Sequence, residues 1–308
     1  MRASAVFVLC AGCSFQHGVA TSSDGGSDDR DDARVVDAPL IDDAPPDAPF
    51  ATGPFGTPLE VAISLAGVRD DDITLTGDML EIFFESDRVA PGQSDIYTAR
   101  RAAVTDPWSL PSRIDELSSA SLETSMEVST DGLTLYFSSN RPPSSSVDVY
   151  VSTRPDRTSP WAAPVIVGSL STTYDNDYNA QPWSDTVLYL GSDRMPASGG
   201  SDVFRATRTS ASSAWDTPAT VAGLDTQRYE GEAFADATGA IWFTGDAAGD
   251  DDLWRAAPNG DGTYADPELV PGINTQYAEN DAWLSPDGHT LYFTSNRSGS
   301  LDIYMATR

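Results

Sequence analysis

The chain has 308 residues, 40% of them hydrophobic, which is enough for one large or two small globular domains, and its formal net charge is −29. All 18 basic residues are arginine, so Schiff-base chemistry and the phosphate-loop lysine are excluded, and so acidic a chain repels nucleic acid. The only cysteines are Cys10 and Cys13 and the only histidines His17 and His289, which rules out thiolate metal centres in the body of the chain and any multi-histidine zinc site.

Residues 1–12 read as an export signal: Arg2 is the charged start and Ala3 to Ala11 a short apolar run, too short to span a bilayer. Small residues before Cys13 resemble a bacterial lipobox, although Cys10 stands where that pattern prefers Leu, Val or Ile. The resemblance implies that Cys13 carries the lipid attachment. The chain is then expected at the cell envelope, on the periplasmic or surface face of the outer membrane or released by secretion, with the lipid as its sole membrane contact. Residues 13–54 follow as an acidic tether, with Asp28 to Asp32 and Asp42 to Pro49 as its densest runs. High charge, many prolines and few large apolar residues cannot offset chain entropy, so the segment is expected to be disordered and extended.

From Phe55 onward one pattern recurs five times. An apolar triplet is followed by a polar run, a loop, and then Asp, an apolar residue and an aromatic. The triplets begin at Ile82, Leu135, Leu188, Ile241 and Leu291, and the aspartates are Asp95, Asp148, Asp202, Asp252 and Asp302, spaced by 53, 54, 50 and 50 residues. An aromatic shortly before a proline recurs as Phe55, Trp108, Trp161, Trp215 and Tyr264. A period near 50 with several short strands per unit indicates a β-propeller. Triplets such as Leu291-Tyr292-Phe293 do not alternate apolar with polar, as expected of strands buried on both faces between neighbouring blades. Asp131-Gly132 and Asp287-Gly288 supply tight turns just before the triplet. The expected fold is all-β: one five-bladed propeller over 55–308, four strands (A to D) per blade. Its first strand, Leu59 to Leu65, has no A, B or C before it, so it completes the last blade, which lacks a D.

Ser285-Pro286-Asp287-Gly288, Leu291 to Arg297 and Asp302-Ile303-Tyr304 closely resemble the WD40-like repeat of TolB-type propellers. The second repeat, from Ser129 to Tyr150, matches nearly as well. The first has Met79 in place of the turn glycine, the third a shortened hairpin at Ser184-Asp185, and the fourth Ala247 in place of the arginine. Connections such as Ile273-Asn274-Thr275-Gln276-Tyr277 resemble those between blades in bacterial envelope lipoproteins. TolB propellers have six blades, so six is the alternative to the five counted here. The repeat type specifies fold and not function, since it serves binding modules, complex subunits and enzyme accessory domains.

Two residue sets could carry chemistry. Arg88 with Asp95, Arg141 with Asp148, Arg194 with Asp202 and Arg297 with Asp302 flank the B–C loop and are expected to pair as structural clamps, one per blade. Acids at the entrance of strand A, including Asp70, Asp71, Asp72, Glu123, Asp177, Glu230, Glu232, Glu279 and Asp281, would ring the central channel. They could form a cation site, with Glu123, Glu230, Glu279, Asp281 and Asp72 as ligands and Ca2+ as the ion, or they could be ordinary solvated acids. Asp250 to Asp252 and Asn259 to Gly262 lack full calcium-loop spacing and read as turns. Tyr174, Tyr178, Tyr229 and Tyr277 near the strand A starts could stack on a sugar or peptide, or plug between blades. No catalytic set and no required cofactor is read. The expected function is a monomeric, lipid-tethered, non-catalytic propeller binding an envelope protein or glycan. The alternatives are a glycan hydrolase using two channel carboxylates, and a structural subunit of an envelope complex.

Overall fold

A computed structural model describes residues 50–197, 200–224, 228–246 and 251–308. The signal segment, Cys13, Ala247, Asp250 and most of the tether lie outside these residues.

The described chain forms five antiparallel sheets of four strands each. Blade 1 runs β2 (Asp70–Leu75), β3 (Glu81–Ala90), β4 (Gln93–Arg100) and β5 (Ser112–Arg113). Blade 2 runs β6 (Glu123–Val128), β7 (Thr134–Ser139), β8 (Asp148–Thr153) and β9 (Val165–Ile166). Blade 3 runs β10 (Asp177–Ser184), β11 (Val187–Ser192), β12 (Asp202–Thr207) and β13 (Ala219–Thr220). Blade 4 runs β14 (Glu230–Ala235), β15 (Ile241–Gly245), β16 (Asp252–Ala256) and β17 (Glu268–Leu269). Blade 5 runs β18 (Glu279–Leu284), β19 (Thr290–Ser295) and β20 (Asp302–Thr307), and its fourth strand is β1 (Leu59–Glu60) from the other end of the domain. Leu59 pairs with Met305 and Glu60 with Tyr304. The innermost strands touch in a closed cycle, β2 to β6 to β10 to β14 to β18 and back to β2. The fold is a five-bladed β-propeller, not a six-bladed one, and the N-terminal strand closes it.

Each triplet shows why its strand does not alternate. Ile82 and Phe84 pack into the layer between blades 5 and 1, and Phe83 into the layer between blades 1 and 2. Likewise Leu291 and Phe293 face blade 4 while Tyr292 faces blade 1. Both faces are core, and each buried large side chain is worth about 1.5–3 kcal/mol. At the A–B turn of blade 2, Asp131 accepts from the Ser129 hydroxyl at 2.6 Å and the Leu133 N–H at 2.9 Å, and Gly132 takes φ 75°. Met79 adopts φ 55° at the matching place in blade 1, without glycine's freedom.

The domain boundary lies earlier than the sequence suggests. Residues 50–54, read as the end of the tether, touch the propeller: Phe50 packs against the blade 4–5 core and the Ala51 N–H donates to the Asp287 carbonyl at 2.9 Å.

Candidate functional site

The expected arginine clamps form with a different partner. Arg88 pairs with Asp70 at 2.7 Å, Arg141 with Glu123 at 2.9 Å, Arg297 with Glu279 at 2.9 Å, and Arg194 with Asp177. Each guanidinium also donates through Nε to the serine two residues before it: Ser86, Ser139, Ser295 and Ser192. The cause is register. The strand B serine lies directly opposite both the strand C aspartate and the strand A acid, as Ser86 does with Asp95 and Asp70. The arginine just beyond can turn either way, and it turns inward to the fully buried acid. Asp95 instead pairs with Arg113 at 2.9 Å, and Asp302 accepts from Ser298 and Ser300. Asp148 and Asp202 are buried at the strand C starts, while Arg141 and Arg194 reach Glu123 and Asp177.

This pairing also corrects the proposed channel ligands. Glu123 and Glu279 belong to clamps, not to the axis. Glu230 holds the corresponding strand A place in blade 4, opposite Gly245. Of the five acids first considered, Asp72 and Asp281 do reach the axis.

A second recurrent arginine was not anticipated. Arg101, Arg154, Arg208 and Arg308 stand four residues after the strand C aromatic. They stack over Trp108, Trp161, Trp215 and Phe55 at 4.0–4.4 Å. Their Nε–H groups donate to carbonyls in the A–B turn: Met79, Gly132, Asp185 and Gly288. The aromatic-before-proline mark is therefore one half of a cation–π clamp. Blade 4 carries Pro258 at the arginine's place.

The axis is built by an irregularity common to all five inner strands. Each breaks register after its second residue, and a residue in that break takes a left-handed conformation: Asp72, Ser125, Asn179, Glu232 and Asp281, with φ of 47–51°. Such backbone costs a non-glycine residue roughly 1–3 kcal/mol, so its recurrence points to a role for the side chains it aims inward. Asp72, Glu232 and Asp281 each present a carboxylate oxygen within 4.8 Å of the other two. With Asn179 and Glu127 they line a space of about 10 Å³, the scale of one small sphere.

Hydrogen bonds hold the surrounding acids. The Thr124 hydroxyl donates to Asp72, Thr294 to Asp71 at 2.7 Å and to Asp281 at 3.2 Å, and Thr74 to Glu127 at 3.1 Å. The Tyr229 hydroxyl donates to Glu232 at 3.3 Å, and Gly231 makes room for its ring, since a Cβ there would sit 2.2 Å from that hydroxyl. Arg69 is the nearby cation, donating to Asp71 at 2.7 Å and to Glu85 from the mouth of the channel.

One arginine does not compensate this many acids. Burial pushes Glu127 up to about 8. Burial, and then the charges of Glu232, Asp72 and Asp71, push Asp281 well above the ordinary carboxylate range, and Glu232 rises for the same reasons. Glu85 rises through burial and the adjoining charge of Asp72. For Asp72 burial acts upward too, but contacts with Glu85 and Thr124 and the charge of Arg69 outweigh it and hold this carboxyl low.

The four tyrosines divide. Tyr174 is 87% exposed and Tyr277 41%. Tyr178 and Tyr229 are partly buried at the channel: burial and then the charges of Asp193 and Glu232 raise the Tyr178 phenol, and the charge of Glu232 and then burial raise that of Tyr229.

No protein-family model and no curated protein matches the sequence. Solved structures do share the fold. An α-L-arabinofuranosidase from Lactobacillus brevis is 12% identical, with a TM-score of 0.54 over 81% of this chain and 94% of that one. The catalytic domain of a GH62 α-L-arabinofuranosidase from Coprinopsis cinerea is 10% identical, with a TM-score of 0.51 over 82% and 96%. A putative TolB from Agrobacterium tumefaciens is 13% identical, with a TM-score of 0.48 over 80% and 82%. These likenesses are of fold.

Proposed function

We propose that the chain is a non-catalytic binding propeller of the bacterial cell envelope, tethered through Cys13, whose strand A entrance face docks a protein. The observation that carries this reading is a group of exposed apolar side chains on that face. Strand A starts, B–C loops and D–A connections all lie on one face of an antiparallel blade. There Leu65, Val89, Tyr174, Met195 and Tyr277 stand exposed on blades 1, 3 and 5 and on the connection that closes the ring. Apolar side chains spread over several blades suit a protein surface better than a single sugar. The acidity of the chain favours a basic partner.

The hydrolase alternative has less support. A paired-carboxylate mechanism needs a substrate-sized cleft beside its acids. The axial acids close on a space of about 10 Å³. A larger hollow of about 350 Å³ between blades 1 and 2 holds Glu81 and Glu116, but Glu81 is committed to Arg100 and Arg154, which leaves one carboxylate.

Photo-crosslinking residues placed at Tyr174 and Tyr277 in the producing cell should each trap the same envelope protein, and one placed at Leu269 on the outer edge should not. Equal trapping from all three positions contradicts the docking face. Release of arabinose from an arabinose-substituted xylan, lost in Glu232→Gln, would establish the hydrolase instead.

A further inference from the structure

We propose that the hollow between blades 1 and 2 binds one acidic sugar unit, a uronate, with Arg100 holding its carboxylate and the Thr98 hydroxyl holding its ring. The hollow lies towards the end of strand C in blade 1 and the C–D loop of blade 2, away from the strand A entrances, so the site is independent of the docking face and survives its failure. Its volume of about 350 Å³ is at the lower end of the range for small-molecule sites, which suits a single sugar.

The charged groups here depart from the repeat. Glu81 at the start of strand B lies directly opposite Arg100 at the end of strand C. The same cross-strand place holds Thr134 with Thr153 in blade 2, Val187 with Thr207 in blade 3 and Thr290 with Thr307 in blade 5. Blade 4 has Ala240 and Ala257 there. A pair that the fold required would recur, as both arginine clamps do.

The pair also leaves a charge over. Buried Glu81 accepts from Arg100 at 2.7 Å and from Arg154, across the blade boundary, at 2.7 Å. Two guanidiniums on one carboxylate leave one positive charge in excess. Asp95 is taken by Arg113, and Asp115 and Glu116 are exposed, where water screens them. The Arg154 side chain is buried and directs its donors to Glu81 and to the carbonyls of Gly132 and Arg157. The Arg100 side chain is 47% exposed; its Nε and Nη2 reach Glu81 and the Arg157 carbonyl, and its Nη1 has no partner among the described residues. The excess charge therefore faces the hollow through one free nitrogen, which suits a carboxylate.

A second group points to the rest of the ligand. The Thr98 Oγ1 lines the hollow, is buried, and has no hydrogen-bond partner. A buried hydroxyl left unpaired is costly, and a ligand hydroxyl would satisfy it. Thr98 and Arg100 stand two apart on β4, so their side chains leave one face of the strand about 7 Å apart. That is the span of one pyranose ring with its substituents. Ile114, Pro160 and Trp161 supply an apolar wall for the ring. An inorganic anion would leave the hydroxyl and this wall unused, and a neutral sugar would leave the charge unused.

The test is calorimetric titration of the full chain at pH 7.5 with D-glucuronate, D-glucose and a glucuronate-terminated oligosaccharide, in wild type, Arg100→Gln and Thr98→Val. Wild type should bind one glucuronate per chain and glucose at least ~10-fold more weakly. Arg100→Gln should weaken glucuronate by at least ~10-fold and Thr98→Val by roughly 5-fold. Both variants should melt close to wild type, because Glu81 keeps Arg154 and the Thr98 hydroxyl holds nothing in the free protein. Tighter binding of the oligosaccharide than of glucuronate makes the source a glycan, and weaker binding makes it the free sugar acid; the site stands in both cases. Absence of glucuronate binding overturns the proposal, and so does glucose binding as tightly as glucuronate. Unchanged affinity in either variant overturns it too, by placing the sugar elsewhere.

Discussion

Arg141 and Glu123 illustrate what one pair does at the residue scale. Glu123 is fully buried and Arg141 partly so, and the guanidinium also covers the rings of Phe137 and Tyr150. Removing one partner of such a pair leaves a buried charge uncompensated. Arg141→Ala is therefore expected to cost about 3–5 kcal/mol in denaturant unfolding. Asp148→Asn should cost about 1 kcal/mol or less, because Asp148 is not that arginine's partner. Equal losses would restore the pairing suggested by sequence proximity. Proximity misled because Asp148 stands seven residues from Arg141 across one hairpin, whereas Glu123 lies eighteen residues back on the neighbouring strand. Nothing in the residue types separates the two acids, and both lie opposite Ser139; only the direction in which the Arg141 side chain turns does.

At the element scale, the closing strand was legible from the order of parts alone: a D strand comes first and a C strand last. What the order of parts could not convey is how much more than β1 seals the ring. Val61 and Ile63 are buried in the blade 5–1 core, the Val61 N–H donates to the Ile303 carbonyl, and the Ser64 hydroxyl accepts from the Ile303 N–H. Losing two such side chains costs about 3–6 kcal/mol before any hydrogen bond is counted. A chain starting at residue 50 should fold and melt like the full chain. One starting at residue 67 should melt roughly 10 °C lower or more. Coincident melting curves would show that the ring does not depend on the N-terminal strand. The inner-strand irregularity was not legible. Asp72, Ser125, Asn179, Glu232 and Asp281 share no residue type, so no motif marks the position, and only backbone geometry reveals that five unlike side chains occupy one structural place. The second arginine clamp was within reach, since an arginine recurs four residues after four of the five strand C aromatics.

For the whole molecule, the repeats determine the blade count and closure, while the convergence of acids is a property of the assembled ring. Blades 1, 2, 4 and 5 bring the carboxylates of Asp72, Glu127, Glu232 and Asp281 together, and blade 3 brings the carboxamide of Asn179 to the same space. Unlike the arginine clamps, these acids share one nearby cation, Arg69. The electrostatics of the axis can be read without any ligand. Glu127 sits at about 8 in the fold against an ordinary value of 4.5, and Glu232, Asp281 and Glu85 are also raised. A carboxyl raised by folding binds more protons in the native than in the unfolded state, so its contribution to stability is complete below about 4.5 and is lost as the pH rises towards 8. The deciding measurement is the melting temperature of the full chain in chelator between pH 5.5 and pH 8. It should fall by at least ~5 °C across that window, with a shallower fall in Glu127→Gln. A flat or rising curve would show that the axial acids do not crowd one another, and with it the account of the channel fails.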